Sequence, residues 1–458
     1  MPAVLPLPQF VARAPARLPA GLVVLALSLA ACAPVPTPGE FAPNGASTLR
    51  PMTGAAAWWR AFNDPQLDAL VARGTTQNLT LREAAERITE AGAGIQTLGS
   101  VSLGADFSHS RSRLGERGGA GVYASGNSSV LSGSWLLDLF GQNRAERAAA
   151  TALRVQADYS AQAARLAVAG EIASAYIDLR YAQEVIAFVG RSISSRDQSR
   201  GSINEQFEAG AATRLDVLRA DQRLALARAE LPALEVAAER AIFRLATLTA
   251  QSPESLRPLL LRGGAIPRPH FAAARGINAD TIRLRPDVQA QEQLLVARAA
   301  EVGVARAALL PSLSLVGRVT VPGTGATTWA FGPAINLPIF SGGRNKANLT
   351  AAESRARQAW FGWQQAVLEA VEDVQSALSA WRRDGRNVGA QQQLVAISQE
   401  TLDLARSSYD LGETDFLSIL DAEVELLSAR QALAGAERDR ALNFIRLSVA
   451  TAGPVAMQ

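Results

Sequence analysis

Few side chains in this sequence could perform covalent or metal chemistry. Of its 458 residues, one is a cysteine, Cys32, and two are histidines, His109 and His270. A single cysteine excludes a disulfide framework and any cysteine-based zinc or iron–sulfur site. The sequence also lacks the motifs of zinc proteases, P-loop nucleotide-binding proteins, serine hydrolases and dinucleotide-binding proteins. We therefore predict that the protein is not an enzyme and binds no metal.

The charged residues do not indicate a catalytic or nucleic-acid site either. Adjacent acids such as Glu372 and Asp373 lie on a predicted amphipathic helix, where a solvated surface is the simplest interpretation. The formal net charge is only +3, which is too small to predict a nucleic-acid partner. The arginines are spread among acidic residues, as in helices with pairs at i and i+4.

The lone cysteine ends a segment typical of an export signal. Arg13 and Arg17 precede a short apolar run that ends at Ala30-Ala31-Cys32, and a basic region, an apolar region and small residues at the cut define a secretory signal. A buried core helix is the alternative, but the prolines that follow Cys32 would stop it. Leu29 to Cys32 resembles the lipobox of bacterial lipoproteins. This resemblance implies cleavage before Cys32 and acylation of its sulfur, which would make a covalent lipid the only cofactor.

The chain after this signal is dominated by two long helical patterns. The runs 143–199 and 344–408 contain no proline, and each is far longer than an ordinary globular helix. In the second run, apolar residues recur at steps of three and four, which predicts a seam for a neighbouring helix. Its members are Trp360, Trp363, Val367, Val371, Val374, Leu378 and Trp381.

Two segments, at about residues 100–139 and 312–340, alternate between apolar and polar residues instead. Each predicts a β-hairpin with strands of about 9–11 residues, the length of a tilted membrane strand. The loop of the first hairpin is expected at about 115–128. An exported soluble sandwich would alternate similarly but would need more than four strands. A membrane sheet cannot have open edges, and four strands cannot close on themselves, so several chains would have to share one barrel.

The two halves of the chain repeat each other. Residues 137–144 align with 337–344 at an offset of 200, and residues 207–220 align with 409–422 at an offset of 202. Gly210 and Gly412 fall where each long helix would reverse. The predicted organisation is a signal peptide (1–31), an acylated tether (32–52), a first repeat (53–250), a linker (251–285), a second repeat (286–453) and a tail (454–458).

Several motifs together resemble one family. The segment Trp58 to Val71, WWRAFNDPQLDALV, is similar to the opening segment of TolC-like outer-membrane factors. Residues 138–144 and 337–344 resemble the strand-to-helix junctions of that family. Tyr409 and Gly412, followed by Ile-Leu-Asp-Ala at 419–422, resemble its last helical hairpin.

This resemblance implies a fold and a function. The fold is mainly α with a small β part: a trimeric α-barrel continues into a shared 12-stranded transmembrane β-barrel, with four strands from each chain. The implied function is the outer-membrane exit channel of a tripartite efflux pump, a passive conduit opened by iris-like movement of the periplasmic helix tips. The implied partners are two further copies, a periplasmic adaptor and an inner-membrane, proton-driven pump of the resistance–nodulation–division class.

The resemblance also implies roles for particular residues. Gly210 and Gly412 would form the tip turns that contact the adaptor. Asp421 matches a position where the family often has a constricting acidic ring, and Asp216, Tyr409 and Ser418 are the other candidate gate residues. Ser418 stands where some relatives have a second acid, and Thr414 where some have an arginine that links the hairpins. A latch built on that arginine therefore cannot be transferred to this chain.

Two other functions stay open at this point. A type I secretion exit duct shares the fold but conducts polypeptides. A coiled-coil scaffold lipoprotein would have the heptads and the lipobox, but no reason for alternating hairpins at corresponding places in a repeat. The exported substrate cannot be read from the sequence, and metal efflux remains one possibility.

Overall fold

The computed structural model describes residues 57–96, 99, 101–114, 122–261, 263–270, 279–323, 325–339 and 343–453. The predicted signal and tether, including Cys32, and the tail 454–458 lie outside these residues. Contacts within the chain define two compact units. One includes residues 97–149 and 299–354; the other includes 150–298 and 355–453, together with the residues from 57 to 96.

Helices account for most of the described residues. In chain order they are α1 (Pro65–Gln77), α2 (Leu79–Gln96), α3 (Gln142–Glu208), α4 (Arg214–Leu248), α5 (Pro253–Leu260), α6 (Ala279–Arg283), α7 (Pro286–Ala307), α8 (Arg344–Asp410) and α9 (Phe416–Ala450), preceded by a 3-10 turn, Trp58–Phe62. The helices α3 and α8 each have 67 residues, and α4 and α9 each have 35. Both halves thus contain a helix, a hairpin, a very long helix, a glycine turn and a 35-residue helix, in that order.

Aromatic residues build the core around the opening segment. The ring of Phe62 meets Phe444 edge-on at 5.3 Å between centroids, and Trp381 lies 5.7 Å from the same ring. Trp58, Phe62 and Phe444 are buried. Such edge-to-face pairs stabilise a core beyond the area they bury. The predicted seam on α8 is therefore a packing surface at Trp381, as its spacing indicated.

Asp64 fixes the start of α1 and joins it to α3. Its carboxylate accepts hydrogen bonds from the backbone N–H groups of Gln66 and Leu67 at 2.9 and 3.2 Å, which makes it an N-cap. The Tyr176 hydroxyl donates to the other carboxylate oxygen at 2.7 Å. Burial is the main cause that raises the pKa of this phenol, and the bond to Asp64 raises it further, so Tyr176 is neutral at physiological pH.

The four strands form one antiparallel sheet in the order β1-β2-β3-β4. Their bounds are Ser102–Leu114, Val122–Leu137, Ser312–Pro322 and Thr328–Asn336. One cross-strand row contains Ala105, Leu131, Val319 and Trp329; the next row on the other face contains Gly104, Ser132, Arg318 and Ala330. One face of the sheet is therefore mainly apolar and the other is mainly polar or small, as the predicted alternation requires, although Val130, Leu136 and Val316 lie on the second face.

The first hairpin is longer than predicted. Its strands have 13 and 16 residues instead of 9–11, and residues 122–128, expected in the loop, belong to β2. The Gly/Ser-rich sequence suggested a loop, but its side chains pair across the strands: the Ser108 and Ser128 hydroxyls lie 2.8 Å apart. β2 is longest because it pairs with β1 through residues 122–134 and with β3 through residues 128–137.

Among the residues that the structure describes, no helix is both long enough and apolar enough to cross a membrane.

The fold class predicted from the sequence is confirmed: the chain is mainly helical and contributes one small antiparallel sheet of four strands.

Candidate functional site

The two long helical hairpins reverse at turns of the same geometry. Gly210 and Gly412 have positive φ angles of 76° and 75°, which glycine adopts without the strain of a side chain. At each turn the glycine N–H donates to the third residue before it, Phe207 or Tyr409, and the next N–H donates five residues back. These bonds define a Schellman motif. The predicted tip turns are therefore two copies of one structure.

The helices after these turns have matching caps with exchanged residues. In α4, Thr213 is the N-cap, and its hydroxyl donates to Asp216 Oδ2 at 2.6 Å. In α9, Asp415 is the N-cap, and Ser418 donates its N–H and its hydroxyl to Asp415 Oδ1 at 3.2 and 3.0 Å. The acid and the hydroxyl have changed places between the repeats. Two of the predicted gate residues, Asp216 and Ser418, thus hold the first turn of their own helices.

Tyr409 joins the two hairpins close to the turns. Its hydroxyl donates to Gln206 Oε1 on α3 at 2.5 Å, and its ring packs 5.6 Å from that of Phe416. Gln206 lies four residues before Gly210, and Tyr409 lies three residues before Gly412. The two turns are therefore at the same level along the hairpins. The buried side chains beneath Tyr409 come from all four helices: Ile203, Val217, Ala220, Leu402, Phe416, Ile419, Leu420, Ala422 and Leu426.

Asp421 makes the second connection. Its Oδ1 accepts a hydrogen bond from Arg223 Nη2 on α4 at 3.1 Å. The Asp421 side chain is still 57% exposed, so it remains open to further contacts. Asp216 bonds within its own cap and Asp421 bonds to Arg223, so these two predicted gate acids have different partners.

A third connection, which sequence reasoning missed, is the buried acid Glu423. Its side chain is 4% exposed. Oε1 accepts hydrogen bonds from Ser195 Oγ and Ser199 Oγ on α3, at 2.9 and 3.1 Å, and from Arg406 Nη2 on α8, also at 3.1 Å. The opposite oxygen, Oε2, is buried without a hydrogen-bond partner among the described residues. A carboxylate in such a place needs its donors, since a buried unpaired charge is costly.

Arg196 extends this network to α4. It is buried, and its Nη1 donates to the backbone carbonyl of Arg223 at 2.9 Å. Burial is the main cause that lowers the pKa of its guanidinium, and the nearby charge of Glu423 opposes that shift. Arg223, whose backbone oxygen accepts this bond, is also the residue whose side chain donates to Asp421. The Glu423 and Asp421 connections are therefore neighbours in one network.

These polar contacts join the two helical hairpins near their turns. Among the described residues no group of histidine, cysteine or acidic side chains could hold a metal ion.

Comparisons with known proteins find similar chains over most of the length of this one. A family model described as "Outer membrane efflux protein" matches residues 72–251 and 279–453. "Nodulation protein T" of Rhizobium leguminosarum bv. viciae is 35% identical over 451 residues, which cover 95% of this chain and 93% of that protein. "Outer membrane protein OprJ" of Pseudomonas aeruginosa is 31% identical and covers 88% of each chain. The solved outer-membrane channel OprN superposes with a TM-score of 0.80 at 32% identity, over 87% of this chain and 92% of that chain.

Proposed function

The chain belongs to the outer membrane efflux protein family, and we propose that three copies form the exit channel of a tripartite efflux pump. As a member of this family, the chain is a non-enzymatic outer-membrane efflux protein with a TolC-like fold. The proposal adds the assembly, the partners and the gate.

The observation that carries the proposal is the exposed apolar face of the sheet. Phe107, Trp329, Phe331 and Ile335 lie on this face, and each is at least 70% exposed. Soluble monomers rarely expose a contiguous surface of this kind. The opposite face presents mainly serine, glycine, threonine and alanine together with Arg318, and it includes three large apolar residues, Val130, Leu136 and Val316. Apolar residues toward lipid and polar residues toward water are typical of a transmembrane strand wall.

The edges of the sheet argue for several copies. β1 and β4 each pair with one strand only among the described residues. In lipid, every unpaired backbone group costs several kcal/mol, so an open edge has to find a partner. Four strands are too few for a closed wall, and twelve from three copies are enough. Strand count alone would also permit rings of other sizes. The choice of three copies rests on the family.

The helical hairpins suit the periplasmic part of such a channel. The turns at Gly210 and Gly412 are exposed and share one backbone geometry, so they present equivalent docking surfaces to a periplasmic adaptor. Energy would come from the inner-membrane proton-driven pump, and this protein would conduct passively.

The gate in this proposal is the network that joins the two hairpins. Asp421 with Arg223, Tyr409 with Gln206, and Glu423 with its serines hold the tips in the closed arrangement. Opening moves one hairpin away from the other and breaks these bonds. The caps at Asp216 and Ser418 keep each helix start intact during the movement.

Cys32 is proposed as the lipid anchor. Several acyl chains on one residue give stable attachment, at about 0.8 kcal/mol for each buried methylene. Mass spectrometry of the purified protein should find an acylated peptide that begins at Cys32. Replacement of Cys32 by Ser should abolish the acyl mass, and an acylated Cys32→Ser protein would contradict this assignment.

The main experiment is reconstitution. The purified full-length protein should be trimeric by native mass spectrometry and should form ion channels in planar lipid bilayers. Deletion of the gene should sensitise the cell to members of a drug, solvent and metal panel. A monomeric protein without conductance would overturn the proposal. A deletion that abolishes secretion of a polypeptide and leaves drug sensitivity unchanged would favour a type I secretion duct.

A further inference from the structure

We propose that Asp106 and Arg318 form a mixed-charge ring inside the β-barrel, in which the aspartates and arginines of three copies alternate around the lumen. The ring attracts cationic groups at three positions and anionic groups at the three positions between them, so it admits solutes of either charge. The inference rests on the proposed trimeric channel and assigns selectivity-determining residues to its membrane-spanning part.

The polar face of the sheet carries very little charge. Serine, glycine, alanine and threonine make up most of this face, and among its residues in the four described strands the charged ones are Asp106 on β1 and Arg318 on β3. Asp106 pairs with Val130, and Arg318 pairs with Ser132, two residues further along β2. Residues two apart on a strand share a face, so both charges project from the same side of the sheet.

Both charged side chains are open to solutes. Asp106 and Arg318 are exposed, and within the described part of the chain neither side chain takes part in an ion pair or a hydrogen bond. The row of Arg318 holds only the small residues Gly104, Ser132 and Ala330, which leave the guanidinium uncovered. A charge in this place is costly if it faces lipid and is tolerated if it faces a water-filled lumen.

The two charges lie on alternate strands. Arg318 is two strands away from Asp106, or about 10 Å across the sheet, and one row away, or about 7 Å along the strands. At physiological ionic strength a charge acts over about 8 Å before salt screens it. Each charge therefore sets the potential mainly in its own surroundings.

This placement determines the pattern in the assembled barrel. The strand order is β1-β2-β3-β4, and in a closed wall β4 of one copy is followed by β1 of the next. Since Asp106 lies on the first strand and Arg318 on the third, a charge occurs on every second strand and the sign changes each time. Twelve strands then carry six charges at even spacing.

The width of the barrel makes these charges relevant to passing solutes. Twelve strands about 4.8 Å apart, tilted by about 40°, give a backbone diameter of about 24 Å. Long arginine side chains narrow this space, whereas the serines, glycines and alanines around them do not. A ring of one sign would favour solutes of the opposite sign. A ring of alternating sign offers attraction to both, unlike the acidic constriction expected at Asp421.

Thiol modification beside each charge measures these local potentials. Ser132→Cys places a thiol opposite Arg318, and Val130→Cys places one opposite Asp106, on the same face of β2. The full-length trimer in lipid nanodiscs is treated with an anionic sulfonatoethyl or a cationic trimethylammonium-ethyl methanethiosulfonate. Mass spectrometry of the peptide that contains the new thiol gives each rate, which is divided by the rate of a small free thiol.

The two thiols should show opposite preferences. The Ser132→Cys thiol should favour the anionic reagent, and the Val130→Cys thiol should favour the cationic one. Addition of Arg318→Gln to the Ser132→Cys protein should lower the ratio of anionic to cationic rates about fivefold, since the nearest charge is lost. Addition of Asp106→Asn to the Val130→Cys protein should raise that ratio by a similar factor.

Two control variants separate charge from other effects. Arg318→Lys keeps the positive charge and should preserve the ratio at the Ser132→Cys thiol. Arg111→Gln removes an exposed arginine from the opposite face of the same sheet, and it should leave both ratios unchanged. Native mass spectrometry establishes that each variant is trimeric.

The outcomes distinguish this inference from the proposed channel. If both thiols react but prefer the same reagent, or if Arg318→Gln and Asp106→Asn leave the ratios unchanged in trimeric protein, the mixed-charge ring is refuted and the channel stands. If neither thiol reacts with either reagent, this face of the sheet does not line water, and the proposed channel wall is refuted together with the ring.

Discussion

Glu423 on α9 is buried and accepts a hydrogen bond from Ser195 on α3 at 2.9 Å, so a single carboxylate ties the second helical hairpin to the first. Glu423 also accepts hydrogen bonds from Ser199 on α3 of the first hairpin and from Arg406 on α8 of the second. If the second hairpin moves away from the first, the hydrogen bonds from Ser195 and Ser199 to Glu423 have to break. Glu423 therefore links the two hairpins near their turns through a buried carboxylate.

Replacement of Glu423 by Gln should loosen the closed tips. The amide keeps the shape of the side chain but removes its negative charge. That charge pairs with Arg406 and compensates the positive charge of the buried Arg196. Breaking one side of a buried ion pair costs about 3–5 kcal/mol, and the conservative amide should lose a part of that. We expect a higher conductance of the isolated channel in planar bilayers and a lower melting temperature.

The matched control is Glu425→Gln, two residues further along α9 and exposed. It removes the same charge from the same helix without touching Ser195 or Arg406. If both variants raised the conductance equally, net charge would explain the effect, and the latch assigned to Glu423 would be wrong.

Removal of Asp421 should have a smaller effect on opening and a larger one on ion preference. Its bond to Arg223 is partly exposed, and such pairs contribute only about 0.2–1 kcal/mol. Three copies would nevertheless bring three carboxylates to one constriction, which attracts cations. Asp421→Ala should therefore raise the conductance modestly and lower the preference for cations over anions.

Arg223→Ala separates the two effects. It breaks the same bond but leaves the carboxylate in place, so it should raise the conductance without reducing cation preference. Reversal potentials under a salt gradient measure the preference. An Asp421→Ala channel with unchanged conductance and unchanged selectivity would remove Asp421 from the gate.

The sheet offers a paired test of its proposed membrane face. Leu131 and Ser132 are neighbours on β2 but point to opposite faces, and Ser132 lies opposite Arg318. Leu131→Glu places a charge on the proposed lipid face, at a cost that can reach a few kcal/mol. We expect a strong reduction of folded trimer in outer-membrane fractions.

Ser132→Glu places the same charge on the other face, beside Arg318, and should assemble normally. Semi-native gel electrophoresis of membrane fractions compares the two variants. Normal assembly of Leu131→Glu, or equal loss in both variants, would contradict the assigned orientation of the sheet.

The sequence predicted this architecture because its signals are local and periodic. Long runs without proline predicted the helices that contain Tyr176 and Trp381, and alternation of apolar and polar residues predicted the hairpins. Gly210 and Gly412 were found because a long helix reverses most easily at a glycine. The length of β2 was underestimated because serine and glycine are typical of loops, and only the partner strand shows that Ser128 is paired.

Glu423 could not be found in the same way. On a helix with many acids, nothing local distinguishes it from the exposed Glu425. Its burial depends on Ser195 and Ser199, more than 220 positions earlier in the chain, and on Arg406 from a third helix. Long-range packing of this kind has no periodic signature.

The cap at the start of α4 should respond to acid. The Thr213 hydroxyl bond is the main cause that lowers the pKa of Asp216 below its ordinary value. The folded state therefore binds the proton less readily than the unfolded state does. The stabilisation by this carboxylate is then complete above the unfolded pKa, about 3.9, and is lost as the pH falls through the lower, folded pKa. The stability of this turn can be measured by hydrogen exchange of the peptide that covers residues 211–220. The exchange rates are expressed as protection relative to the intrinsic rates at each pH.

Parent protein should lose protection in this peptide below about pH 4, because the protonated acid no longer accepts hydrogen bonds from both the backbone N–H and the hydroxyl of Thr213. Asp216→Asn should show reduced protection at neutral pH and no further loss on acidification. Thr213→Val should also lower protection at neutral pH, because a lost N-cap typically costs about 1 kcal/mol, or roughly a fivefold faster exchange. The corresponding peptide at Asp415 and Ser418 is the internal reference and should be unchanged in both variants. A parent profile that matches the Asp216→Asn profile at every pH would show that the carboxylate does not stabilise this turn.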